Sequence, residues 1–176
     1  TVISNLVRNA LSNQEILHIF GDTTLEFPYT YEYIKKFDEV NKLTPVLTKR
    51  NDKNKILEKN YDKFFKLCRK VFGPPSRLER WCCTVFKTDP VGFRINSMGN
   101  KKSLTFMGIR KKESNERMNY NKTQTKSKIS RQISLLPILD WMTAHVWLYI
   151  LSKKIHYNKA YRLGFTRVGC WPCPNN

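Results

Sequence analysis

The chain has 176 residues, 40% of them apolar and 12% aromatic, a composition ordinary for one soluble globular domain with its own core, 1–176. Thirty-two basic residues against fourteen acidic ones leave a formal charge of +18, which favours polyanions such as nucleic acid or nucleotides; abundant Lys and Asn, as in proteins of AT-rich genomes, is the competing source of that charge. The apolar stretch from Leu135 to Ile150 is broken by Pro137, Asp140 and His145, short of the roughly 20 residues a membrane helix needs, so no membrane span is expected.

Val2 to Leu11 reads as an amphipathic helix with Val2, Leu6, Val7, Ala10 and Leu11 on one side. The first residue is Thr1 and no signal-peptide pattern precedes the helix, so the expectation is a chain cut within its domain. Ile16 to Phe20 fits a buried parallel strand ending at Gly21-Asp22. A helix follows from Pro28, suited to a first helical turn, through Val40.

Pro45-Val46-Leu47 reads as a second short strand, and the basic stretch Lys49 to Lys59 leads into a helix from Tyr61 to Phe72 that Gly73-Pro74-Pro75 ends. Another helix begins near Cys82, and Ser103 to Gly108 supplies a further strand followed by a charged loop. Alternation of strand and helix predicts an α/β domain. Residues 119–131 are polar, basic and without apolar periodicity, which predicts a flexible loop whose order depends on a ligand or partner. After the apolar run Leu135 to Leu139, Thr143 is the expected N-cap of a helix through Lys154, with Val146, Trp147 and Ile150 facing the core.

Five cysteines in a chain without a secretory pattern point to a metal or redox site in a reducing cytoplasm rather than to disulfides. Cys82-Cys83 and Cys170-x-x-Cys173 provide four thiolates in two tight pairs, a soft donor set for tetrahedral zinc or an iron–sulfur cluster. Adjacent cysteines serve a single zinc awkwardly, whereas a cuboidal cluster offers separate iron corners, which favours [4Fe–4S]. The plainer alternative makes Cys82 and Cys83 buried small hydrophobes and leaves only the terminal pair to bind. Cys68 lies on an apolar stripe with Phe64, Leu67, Val71 and Phe72 and reads as core packing. His18, His145 and His156 read as structural.

In order along the chain, Gly21-Asp-Thr-Thr-Leu-Glu-Phe-Pro28, Trp81-Cys-Cys83, Gly108-Ile-Arg-Lys-Lys-Glu-Ser114, Pro137-Ile-Leu-Asp-Trp141 with Val146-Trp147, and Gly164 to Cys173 resemble the phosphoadenosine-phosphosulfate reductase family. The resemblance runs the length of the chain, and its cysteine set is similar to that of members holding a [4Fe–4S] cluster. It implies a three-layer α/β/α domain with a mostly parallel, Rossmann-like sheet of the adenine nucleotide alpha-hydrolase type. It also implies an adenine nucleotide (ATP, APS or PAPS) at the carboxyl edge of that sheet.

Carried over by position, Gly21, Asp22 and Thr23 approach the nucleotide, Gly108 and Arg110 form an anion-binding loop, and Arg117 faces the same site one helical turn on. Lys111 and Lys112 read as a solvated charge run, and Glu113 and Ser114 as supports. The family's Ser-Gly-Gly-Lys-Asp-Ser phosphate loop precedes the point where Thr1 begins, and its tail nucleophile lies beyond Asn176, so the expected domain lacks both. His145 stands where relatives commonly have an acidic residue, which puts that carboxylate's role in doubt here.

The function implied is sulfonucleotide reduction with a thiol reductant, or ATP-pyrophosphatase-type adenylation with a sulfur-donor protein. The alternatives are a nucleic-acid-binding component of DNA or tRNA sulfur modification and a zinc-stabilised, non-catalytic domain.

Overall fold

The computed structural model describes residues 1–41, 43–46, 60–99, 102–125, 129 and 131–173. Leu47, the basic stretch Lys49 to Lys59, four residues of the expected loop (126–128 and 130) and the tail after Cys173 lie outside the described residues. The chain forms two compact units: Thr1–Ile16 with Gly99–Tyr157, and Leu17–Met98 with Asn158–Asn176.

In the first unit, α1 (Val2–Ala10) presents the expected stripe, with Val2 and Val7 buried. Its apolar side packs with α7 (Thr143–Ser152) in a core of Val2, Ile138 and Ile150, bordered by Ile3, Leu6, Trp141, Val146 and Trp147. The Tyr149 hydroxyl donates to Asn5 Oδ1 at 2.7 Å, tying the two helices together. Strand β3 (Ser103–Phe106) runs parallel to β5 (Gln132–Leu135), and β4 (Thr123–Gln124) pairs antiparallel on the other side of β5. The segment read as an irregular loop therefore contributes an edge strand. Backbone pairing with Ser134 and Leu135 suffices for two residues and leaves no apolar alternation to detect.

The start of α7 differs from expectation in its cap. Met142, not Thr143, is the N-cap, and its N–H donates to His145 Nδ1 at 3.2 Å, a backbone-satisfying role for that histidine. The Thr143 hydroxyl instead accepts a hydrogen bond from Arg110 at 2.9 Å.

In the second unit, β1 (His18–Gly21) pairs in parallel with β2 (Leu43–Val46), His18 opposite Leu43, and α2 (Pro28–Asn41) connects them. The fold is thus α/β with parallel pairing, as the alternation of elements predicts, and among the described residues the strands divide between a two-stranded and a three-stranded sheet. Helix α3 (Asn60–Leu67) widens into a π-turn over Cys68–Phe72 and stops at Gly73, whose φ of 71° is open to glycine without strain. A second helical run is built the same way, from α4 (Trp81–Cys83) through a π segment (Thr84–Thr88) to α5 (Asp89–Ser97).

Leu25, Phe64, Leu67 and Phe86 form the core between these helices, with Cys68 packed against it as its apolar stripe suggests. Trp81 stacks on Phe64 at 5.7 Å and on Phe72 at 4.9 Å, and its indole N–H donates to the Gly73 carbonyl. Two short helices, α6 (Asn115–Met118) in the first unit and a 3-10 turn (Lys159–Leu163) in the second, complete the described elements that matter to the site. No described helix is long and apolar enough to cross a membrane.

Phe86 is 1% exposed, so Phe86→Ala should destabilise the protein by about 3–5 kcal/mol through lost burial and the cavity left behind. Urea unfolding measures this, and a cost below about 1 kcal/mol would mean that the site collapses around the smaller residue.

Candidate functional site

A cavity of about 120 Å³ lies within the second unit, and Cys82, Cys83, Cys170 and Cys173 all line it, together with Thr23, Arg80, Lys87 and Arg167. Cys82 and Cys83 sit in the first turn of the helical run, held there by the anchored ring of Trp81. Cys170 and Cys173 belong to a tight turn in which the Cys173 N–H donates to the Cys170 carbonyl at 3.0 Å. Gly164, at φ 91°, ends the preceding 3-10 turn and redirects the chain toward this segment.

The Cys170 turn is fastened to the loop after β1. Cys170 and Glu26 form an antiparallel bridge, and the Trp171 N–H donates to the Leu25 carbonyl at 2.8 Å. Among the described residues no three His, Cys, Asp or Glu side chains stand close enough to hold one metal ion. What the four thiols share is a cavity wall.

The charges around that wall are uneven. A hydrogen bond from Cys82 pulls the Cys83 thiol down to about 6, with Lys87, Arg80 and Arg167 helping and burial opposing. The same bond, reinforced by burial and by the neighbouring sulfurs, pushes Cys82 far up. Burial also raises Cys170, against the pull of Lys87 and Thr23. Burial works against the Lys87 ammonium, but Glu26 and Cys170 outweigh it and hold the group above its ordinary range.

Of the residues read as approaching a nucleotide, Gly21 is a regular strand residue opposite Val46 rather than a turn. An added Cβ there would meet Lys87 and Val91 at ordinary contact distances of 3.6 Å. Asp22 Oδ1 accepts from the Thr24 N–H at 2.7 Å and from the Tyr31 hydroxyl at 2.9 Å, an Asx-turn that shapes the loop. Thr23 is buried and turned to the thiols: its hydroxyl lies 3.3 Å from Cys170 Sγ and 3.1 Å from Glu26 Oε1.

Gly108, Arg110 and Arg117 belong to the first unit. At Gly108 an added Cβ would press on the Ile3 side chain at 3.3 Å, so a larger residue there requires Ile3 to give by a few tenths of an ångström. Arg110 and Arg117 converge on one carboxylate, Glu113, which takes Arg110 Nε at 3.2 Å and Arg117 Nη1 as well. Ser114 caps α6 by accepting from the Arg117 N–H, the supporting role expected of it. Lys111 is not simply solvated: it pairs with Asp140 at 2.8 Å, and Lys122 joins them at 3.3 Å.

Residues 1–176 match the model of the phosphoadenosine phosphosulfate reductase domain. The chain belongs to the phosphoadenosine phosphosulfate reductase family. It is 35% identical over 156 residues to an uncharacterized protein of Methanocaldococcus jannaschii, covering 89% of this chain but only 30% of that one. It is 26% identical to the adenosine 5'-phosphosulfate reductase of Geobacillus kaustophilus, over 98% of this chain and 67% of the relative. In structure it is similar to the phosphoadenylyl-sulfate reductase of Candida auris, with a TM-score of 0.68 at 20% identity over 96% of this chain and 76% of that one, a likeness of fold.

Four residues of the cavity region were not singled out from the sequence: Glu26, Arg80, Lys87 and Arg167. Lys87 carried a signal, lying four residues after Cys83 on a helix and hence on the same face. Glu26 carried none, since its burial comes from the distant Cys170 segment.

In the metal-free protein the Cys83 pKa of about 6, below the free-thiol value of 9.0, makes Cys83 the thiolate at neutral pH while Cys82 and Cys170 stay protonated. Iodoacetamide at neutral pH should therefore alkylate Cys83 first, with the rate rising through pH 6 rather than near 9. Equal labelling of Cys82 and Cys83 in a peptide map would contradict this.

Proposed function

We propose that the chain binds an adenine nucleotide for sulfur chemistry and that Cys82, Cys83, Cys170 and Cys173 together hold one [4Fe–4S] cluster. The supporting observation is the single cavity wall to which two cysteine pairs, distant in sequence, both contribute. Among the described residues no His, Asp or Glu lines this cavity, and Arg80, Lys87 and Arg167 beside the four cysteines offset the negative charge of four thiolates. An adjacent cysteine pair suits separate iron corners better than one tetrahedral zinc ion. When bound, such a cluster supplies electron-transfer chemistry or a rigid knot between the two pairs.

The nucleotide's phosphate or sulfate oxygens are assigned to Arg110 and Arg117, whose guanidiniums keep spare N–H donors beyond those given to Glu113 and Thr143. Taken by itself, the second unit offers Gly21, Asp22 and Thr23 as candidate nucleotide contacts, and in the first unit Gly108 gives the loop after β3 its close path. The adenosine 5'-phosphosulfate reductase among the relatives favours a sulfonucleotide over ATP. Its reduction needs electrons from an external thiol reductant; adenylation with ATP would instead need a sulfur-donor protein. Cluster thiolates need a reducing compartment, which makes the cytoplasm the proposed location.

The charge of +18 supports a second reading, binding to DNA or tRNA. Binding that weakens steeply with salt and is indifferent to APS would favour it.

After anaerobic reconstitution with iron and sulfide, the protein should be brown, and Cys83→Ser should lose bound iron and stability together. Full iron in Cys83→Ser would remove that residue from the site, and a colourless protein holding zinc would replace the cluster with a structural ion. Arg110→Lys keeps the charge but not the planar fork, so APS affinity should fall roughly tenfold by calorimetry. Unchanged affinity would leave Arg110 a surface residue bonded only to Glu113 and Thr143.

A further inference from the structure

Among the described residues Glu26 is the only buried carboxylate, and it lies beside a wall of four thiols. That is an unfavourable place for a negative charge unless the charge has a partner. Its Oε1 accepts from the Thr23 hydroxyl at 3.1 Å, pairs with Lys87 Nζ at 3.4 Å and lies 3.4 Å from Cys170 Sγ. The two members of the ion pair are not equally buried: the Glu26 side chain is 5% exposed and that of Lys87 42%. The ammonium alone could swing into water; the carboxylate cannot follow it.

The contact with Cys170 changes meaning when the thiol becomes a metal-bound thiolate. A protonated Cys170 donates to Glu26, but a thiolate has no proton to donate, and the two negative groups then require a cation between them. Lys87 Nζ pairs with Glu26 at 3.4 Å, and Lys87 and Cys170 line the same cavity.

We propose that Glu26 is a positioning residue that anchors the Lys87 ammonium against the Cys170 sulfur, fixing there the compensating charge of the four-thiolate site. The part played at the loaded site rests on the cluster assignment above; the anchoring of Lys87 does not.

The test is a double-substitution cycle on the full chain with two readouts, iron release to a chelator after anaerobic reconstitution and the thermal midpoint of the metal-free protein at neutral pH. Lys87→Met strands the carboxylate beside the thiolates and should release iron roughly tenfold faster or more. Glu26→Gln frees the ammonium without stranding a buried charge and should cost less than Lys87→Met, and Lys87→Arg should stay near wild type. The decisive protein is Lys87→Met with Glu26→Gln, which should recover most of the thermal midpoint that Lys87→Met lost, because no buried carboxylate is left stranded, while iron release stays fast, because the compensating cation is still missing.

A double variant whose thermal midpoint is as low as or lower than that of Lys87→Met overturns the anchoring, and one that holds iron like wild type overturns the compensating role of Lys87. A wild-type chain that takes up no iron would instead sink the cluster assignment. The thermal midpoints then decide the anchoring by themselves, recovery supporting it and additive losses overturning it.

Discussion

Two cysteine pairs far apart in sequence reach one cavity because the Cys170 turn is fastened to the loop after β1. The fastening is a single antiparallel bridge at Glu26 and Cys170, one backbone hydrogen bond from Trp171 to Leu25, and the side chains of Thr23 and Lys87 closing on the Glu26 carboxylate. Leu25, whose carbonyl takes the Trp171 hydrogen bond, is 2% exposed and belongs to the core of Phe64, Leu67 and Phe86. The apolar core thus holds one side of the fastening, and the helical run from Trp81 supplies the opposite wall with Cys82 and Cys83. Without this contact the four thiols would be two separate pairs on two separate segments.

Much of the framework was legible in local patterns. The stripe of α1, the proline that opens α2, the glycine that ends the helix before Pro74 and the apolar run of β1 are each recorded within a few neighbouring residues, and the structure has an element at each. The cysteine spacing was legible in the same way, and so was the role of Ser114 as a cap. Arg110 and Arg117 were paired by their place in one loop, and they do meet, on Glu113.

What the sequence did not disclose depends on long-range contact or on backbone geometry without a residue signature. The π segments at Cys68–Phe72 and Thr84–Thr88 have no compositional mark, yet the second lies between the cysteine pair and α5. The edge strand Thr123–Gln124 exists through pairing with β5 and has no pattern of its own. The contact of the Thr23 hydroxyl with Cys170, a residue far along the chain, has no mark in the loop sequence. Glu26 looked like any charged loop residue until the Cys170 turn covered it. Thr143 lost the cap of its helix to Met142 because Arg110 offered its hydroxyl a partner.

The central claim is that these four thiols enclose one polynuclear centre. X-ray absorption at the iron edge of the anaerobically reconstituted protein tests it most directly, because that spectrum reports both the ligand shell and any second metal nearby. A four-thiolate cluster should give iron with a sulfur-only first shell and a short iron–iron neighbour. A protein that takes up no iron, or one that holds a lone zinc ion in four sulfurs with no metal neighbour, would contradict it.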